Sequence, residues 1–160
     1  MNPELLAAEL GHPGAQALLS SAMARLAYNG RDGFPRVIPV AFHWTGGRIV
    51  VSTAPTSPKA RALAARPQVA LTIDAGSTPQ EARALLVRGL ASVETVEGVT
   101  EEYLAAARST MSGAELAEFE DNVRATYPAM ARISIEPTWA RFFDFGRGRL
   151  PAFLADLLNK

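Results

Sequence analysis

The chain has 160 residues, 48% of them apolar, and its 16 basic and 16 acidic side chains cancel to a formal charge of zero. That length and composition fit one domain with a real core and exclude a disordered chain, and the balanced charge argues against a general nucleic-acid binder, which carries a basic excess. Cysteine is absent, which removes disulfides and thiolate chemistry, and no apolar run approaches membrane-spanning length, so a soluble, cytoplasmic protein with no membrane partner is expected.

Asn2, Pro3 and Glu4 signal a helix start: a cap, a proline in the first turn and an acid at the positive end. Leu5, Leu6 and Leu10 are its expected buried stripe. Gly11, His12, Pro13 and Gly14 break it, and a second short helix is expected over 15–19. Residues 1–20 thus read as an arm lying over a core. A strand follows over 23–28. Asn29-Gly30 and Asp32-Gly33 are strong turn dipeptides, so a hairpin returns through 35–44. Pro39 sits inside that return strand. It has no N–H for a ladder, which calls for a sheet edge, a plain bulge, or a backbone facing a bound ring with polar edges.

After the turn Thr45-Gly46-Gly47, residues 48–67 read R-I-V-V-S-T-A-P-T-S-P-K-A-R-A-L-A-A-R-P. A β-branched run ends in the hydroxyls Ser52 and Thr53. Ser57 then caps a helix with Pro58 at its first position, carrying Lys59 and Arg61, and Pro67 stops it. Hydroxyls, free helix N–H groups and two cations within ten residues suit an anion cradle. The residues alone fit an ordinary strand–turn–helix with a solvated basic face equally well.

Residues 68–74 form a further strand, 75–80 a polar turn, and 83–97 a long strand in which Gly89 marks a bulge or bend. Residues 100–127 switch to helical spacing. Glu101 and Glu102 open one helix, Ser112 with Glu115 reads as a capping box for a second, and Leu116, Phe119 and Val123 make one buried face. Strand character returns over 131–136, is punctuated by Pro137, and resumes over 138–145. Pro151 starts a terminal helix, 151–160, with Phe153, Leu154, Leu157 and Leu158 on one side, a stripe for tertiary or dimer packing. Six or seven short strands in meander order, with helices inserted late, favour a small antiparallel barrel over a parallel doubly wound sheet. The expected class is mainly β with added helices, in one domain.

No nucleophile elbow, P-loop or dinucleotide fingerprint is present. His12 and His43 are far apart and lack a ligand pattern, so no metal is expected and both are read as structural. Without a triad or a metal set, a reaction would have to be carried by a cofactor.

The ordered series A-R-L-A-Y (24–28), D-G-x-P-R (32–36), V-I-P-V (37–40), V-S-T (51–53), K-A-R-A-L (59–63), R-P-Q-V-A-L (66–71), V-R-G-L-A-S-V (87–93) and R-I-S-I-E-P-T-W (132–139) resembles the FMN-binding split-barrel family. That group includes pyridoxamine 5′-phosphate oxidase-like proteins and deazaflavin-dependent reductases, and the resemblance spans about residues 20 to 145. It implies a split antiparallel β-barrel with the cofactor at a homodimer interface. The cofactor would be FMN or, alternatively, coenzyme F-420. By matching position, Ser52, Thr53 and Lys59 would hold its phosphate, assisted by Arg61, with Val51 beside them in the cofactor site; Arg36, Val37, Ile38, Pro39 and Val40 would run along the ring; and Trp139 and Arg141 would reach in from the partner subunit. The arginine- and histidine-bearing C-terminal pattern with which true pyridoxamine phosphate oxidases hold substrate is missing, which argues against vitamin-B6 oxidation. The implied function is hydride transfer to or from a small conjugated substrate. The alternative is a carrier or sensor that binds flavin or haem without turnover, for which His43 is the histidine expected inside the barrel.

Overall fold

The computed structural model describes residues 1–158. In chain order it contains α1 (Pro3–Gly11), α2 (Pro13–Leu19), β1 (Met23–Asn29), β2 (Pro35–Ala41), β3 (His43–Thr45), β4 (Arg48–Thr53), α3 (Pro58–Ala65), β5 (Gln68–Ala75), β6 (Arg83–Glu97), α4 (Glu101–Arg108), α5 (Gly113–Thr126), β7 (Ala129–Asp144), a 3-10 turn (Phe145–Arg147) and α6 (Ala152–Leu158). The last two residues of the expected 151–160 helix lie outside the described residues.

The strands form one antiparallel sheet in the order β2-β1-β5-β6-β7-β4-β3. It curls until β2 and β4 approach each other without pairing, giving the split antiparallel barrel. Period-2 alternation assigns the faces. Leu26, Ile49, Val51, Leu71, Ile73, Leu85, Val87, Ile133 and Ile135 are buried inside, with Leu18 and Leu19 of α2 and Leu63 of α3 closing the ends. Each such side chain contributes roughly 1.5–3 kcal/mol on burial. Val50, Leu104, Ala106, Val123 and Met130 are buried but lie outside that cluster, in a second layer where α4 covers β4 and β3.

Four local expectations are corrected. The return strand over 35–44 is two strands. Phe42, almost fully buried, plugs the core between β2 and β3, and these run to opposite edges of the sheet. Pro137 does not end a strand. β7 runs through it, because Pro137 sits opposite Gly89 at a bulge, where a missing N–H disturbs no regular ladder. Gly89 is required there, since a Cβ would lie 2.5 Å from the Glu136 carbonyl oxygen. Ser112 makes no side-chain cap on α5, whereas Thr100 caps α4 by accepting the Tyr103 N–H at 3.3 Å. Finally, Leu5 is exposed, and Glu9 takes the buried place on α1. Pro39 does lie on an edge strand, since β2 pairs only with β1.

Candidate functional site

Residues 48–67 fold as strand, turn and helix. Ser57 caps α3 by accepting the Ala60 N–H at 3.3 Å, with Pro58 at the first helical position. The β1–β2 hairpin turn lies against this helix and is tied to its end. Arg66 donates to the carbonyls of Gly30 and Arg31, so this arginine is committed to structure. Arg36 pairs with Asp32 at 2.7 Å, and that bond, with the Phe34 N–H, holds the Asp32 carboxyl below its ordinary value. Arg31, Arg36, Thr56, Pro58 and Arg61 line one groove of about 340 Å³ between hairpin and helix.

Lys59, in the first turn of α3, is half-buried, and burial lowers its pKa. Among the described residues it has no carboxylate within ion-pair distance. A desolvated ammonium at a helix start fits a phosphate, which would return the solvation that burial removes. Thr53 shares the face of Ile49 and Val51 at the end of β4. Ser52 lies on the opposite face with Val50, and its hydroxyl is 2.6 Å from that of Thr100. The two hydroxyls that look equivalent in sequence therefore diverge. Val40 and Val51 are buried in the core, so only their backbone can meet a ligand. Arg36 and Ile38 share the inner face of β2, and Val37 and Pro39 the outer face.

Trp139 and Arg141 lie elsewhere. β2 and β7 are four strand spacings apart, about 19 Å along the sheet. The register nevertheless joins them on the outer face: Val37, Ala27, Ala70, Arg88 and Trp139 form one continuous cross-strand row. Pro39, Arg25, Thr72, Leu86 and Arg141 form the next. Arg88 stacks over the Trp139 ring at 4.4 Å.

Two residues not singled out in the sequence complete this second region. β4 pairs only with the first part of β7, leaving one edge of its second part without a strand partner up to the bridge between Asp144 and Arg149. Glu9 of α1 fills that edge: its carboxylate accepts from the Phe142 N–H at 2.8 Å, from Arg141 at 3.0 Å and from Arg149 at 2.7 Å. Burial pushes its pKa up, but the Phe142 N–H and the two guanidiniums outweigh this and hold it below the ordinary value. The one available signal was positional, since Glu9 falls three residues after Leu6 on the stripe expected to be buried.

Of the histidines, His12 caps α2, its Nδ1 accepting the Gly14 N–H at 3.1 Å. His43 pairs with Val50 and so lies on the face covered by α4, lining a groove with Trp44 and Arg108 instead of the barrel interior. No helix among the described residues is long and apolar enough to cross a membrane.

A family model described as pyridoxamine 5′-phosphate oxidase matches residues 14–144. No curated protein matches the chain. Among solved structures, a conserved hypothetical protein from Mycobacterium tuberculosis is similar at 20% identity and a TM-score of 0.66, over 94% of this chain and 89% of that one. An F-420 reductase is 25% identical with a TM-score of 0.57, over 78% of this chain and 94% of its own. A heme binding protein from Mycobacterium smegmatis is 22% identical with a TM-score of 0.59, over 91% of this chain and 56% of that chain.

Proposed function

The chain belongs to the pyridoxamine 5′-phosphate oxidase family, and on that premise we propose that it is a homodimeric, cytoplasmic oxidoreductase using a flavin-type cofactor, FMN or alternatively coenzyme F-420. The observation that carries this is Lys59, a half-buried ammonium at the start of α3 with no acidic partner among the described residues. Lys59 and Thr53 would hold the cofactor phosphate, with Arg61 in the adjoining groove. The open backbone edge of β2, from Arg36 to Val40, would meet the ring's polar edge. Ser52 keeps its bond to Thr100.

When bound, such a cofactor supplies a ring that accepts or donates hydride. The chain's own part is to clamp, orient and exclude water. No side chain of the clamp is a covalent nucleophile.

The dimer is supported by the outer sheet face. Val37 is 65% exposed there, beside Ala27 and Ala70, whose small side chains let a second sheet approach. In a two-fold pairing centred on these rows each patch meets its own copy, so the rows ending at Trp139 and at Arg141 would carry those residues toward the partner's β2.

The test is to titrate the purified protein with FMN, coenzyme F-420 and haem while following absorbance, with light scattering for mass. A dimer that takes FMN or coenzyme F-420 supports the proposal. Uptake of haem alone would make it a carrier or sensor, and binding of none would overturn the oxidoreductase.

A further inference from the structure

We infer that the groove on the outer face of β7 binds a small apolar anion, a carboxylate attached to an aromatic or aliphatic body. Taken with the dimeric oxidoreductase proposed above, on which this last step rests, it is the place of the substrate.

The groove holds about 560 Å³, within the range of small-molecule sites. Trp139, Phe143, Leu150 and Pro151 give it apolar walls. Its charged lining residues are Arg141, Arg149 and Glu9. Glu9 is 4% exposed and spends its two oxygens on both arginines and the Phe142 N–H. One carboxylate shared by two guanidiniums leaves one positive charge in surplus.

The free donors can also be counted. A guanidinium has five N–H groups. Arg141 uses its Nη1 on Glu9; Arg149 uses its Nη2 on Glu9 and its Nε on the Phe142 carbonyl. The side chains remain 49% and 40% exposed. The cluster is thus a rigid pair of forks, fixed from behind by a buried acid, with unused donors available to the groove. A carboxylate satisfies those donors and the surplus charge together. A cation meets net repulsion, and a neutral apolar molecule leaves the donors unanswered once water is displaced.

The experiment uses Trp44→Phe protein, in which Trp139 is the remaining tryptophan, as the cofactor-free dimer. Its indole resonance is followed by ¹H–¹⁵N NMR during titration with 2-naphthoate, and separately with the neutral 2-naphthalenemethanol. Naphthoate is expected to shift Trp139 and to bind about tenfold tighter than the alcohol, the effect of a charge-assisted hydrogen bond. Arg141→Gln should remove that advantage and leave the alcohol's affinity unchanged. Equal binding of the two probes, binding that does not move Trp139, or no binding of naphthoate would each overturn the inference. Should Arg141→Gln fail to fold, the comparison of the two probes decides alone. Titrating FMN and coenzyme F-420 into the same sample separates the two proposals. Naphthoate binding without cofactor binding supports the anion site and overturns the oxidoreductase; cofactor binding without naphthoate overturns the anion site alone.

Discussion

The Ser52 hydroxyl lies 2.6 Å from the Thr100 hydroxyl, bridging the end of β4 to the cap of α4. Strand alternation sets Ser52 on the face opposite Thr53, and this bond makes it a fastener for the helical insertion. Ser52→Ala should therefore cost about 1 kcal/mol of stability, the net worth of one such bond, and leave FMN affinity unchanged. Thermal melts and a flavin titration on the same variant check both halves. A large loss of affinity would return Ser52 to the phosphate site.

Lys59→Met should show the opposite pattern. Phosphate-bearing cofactor should bind about tenfold or more weakly, since a charge-assisted bond is removed. The unliganded protein should be at least as stable as the parent, because the variant no longer desolvates an ammonium. The pH dependence follows from the lowered pKa. Between the folded and unfolded values of this lysine, the unfolded chain holds more protons, so stability rises with pH through that window. The window lies below the ordinary lysine value of 10.5. Denaturant unfolding of both proteins across alkaline pH should show that rise in the parent and not in Lys59→Met.

What could be read from sequence was local chemistry. The Asn29-Gly30 and Asp32-Gly33 dipeptides specified the hairpin, Pro39 narrowed its site to an edge, a bulge or a ligand-facing backbone, of which the structure has the edge, and Gly89 narrowed its own to a bulge or bend, of which it has the bulge, because each depends on a backbone property carried by one or two residues. Ser57-Pro58 set the start of α3 for the same reason. The break at Phe42 was not visible, since its cause is burial in a core assembled from remote strands. Pro137 misled because the strand opposite it, not its own neighbours, decides whether a proline is tolerated. Glu9 and Arg149 were missed because their partners are 133 and 7 residues away at Phe142, a relation no spacing rule encodes.

Glu9 gives a prediction at the acid end. Its carboxyl is held below its ordinary value of 4.5. Its contribution to stability is thus complete above that value and is lost as pH falls through the lower folded one. Glu9→Gln should cost about 2 kcal/mol near neutrality, less than the roughly 3–5 for a fully buried pair because both arginines are half-exposed. The difference from the parent should shrink on acidification. Urea unfolding at neutral and acid pH measures it, and a pH-independent difference would mean that Glu9 acts through packing alone.

Gly14 faces the Phe142 ring so closely that a Cβ would lie 2.3 Å from the ring Cζ. Phe142 is almost fully buried and also supports the His12 ring at 4.7 Å, so it has little freedom to yield. Gly14→Ala should cost about 1–3 kcal/mol as overpacking. The strain should appear in the arm, as faster proteolysis before Met23, while β1 to β7 keep their protection from hydrogen exchange. Uniform loss of protection would show that the arm and barrel unfold as one unit.

Val37 tests the assembly. It sits at the end of the row that runs through Ala27, Ala70 and Arg88 to Trp139, and its side chain faces away from the barrel core. Val37→Glu places a charge on an edge strand at a position 65% exposed in the single chain, so the barrel itself should lose little, within about 0.5 kcal/mol. In the proposed two-fold dimer, where β2 of one copy meets the far end of the row on the other, the same carboxylate would be desolvated in a close-packed interface that the small Ala27 and Ala70 side chains leave little room to adjust. Light scattering should then give the monomer mass. FMN titration should show weakened binding even though Lys59 and Thr53 are untouched, because Trp139 and Arg141 of the second copy no longer reach the ring. A monomer that binds FMN as tightly as the parent would confine the site to one subunit and remove Trp139 and Arg141 from it.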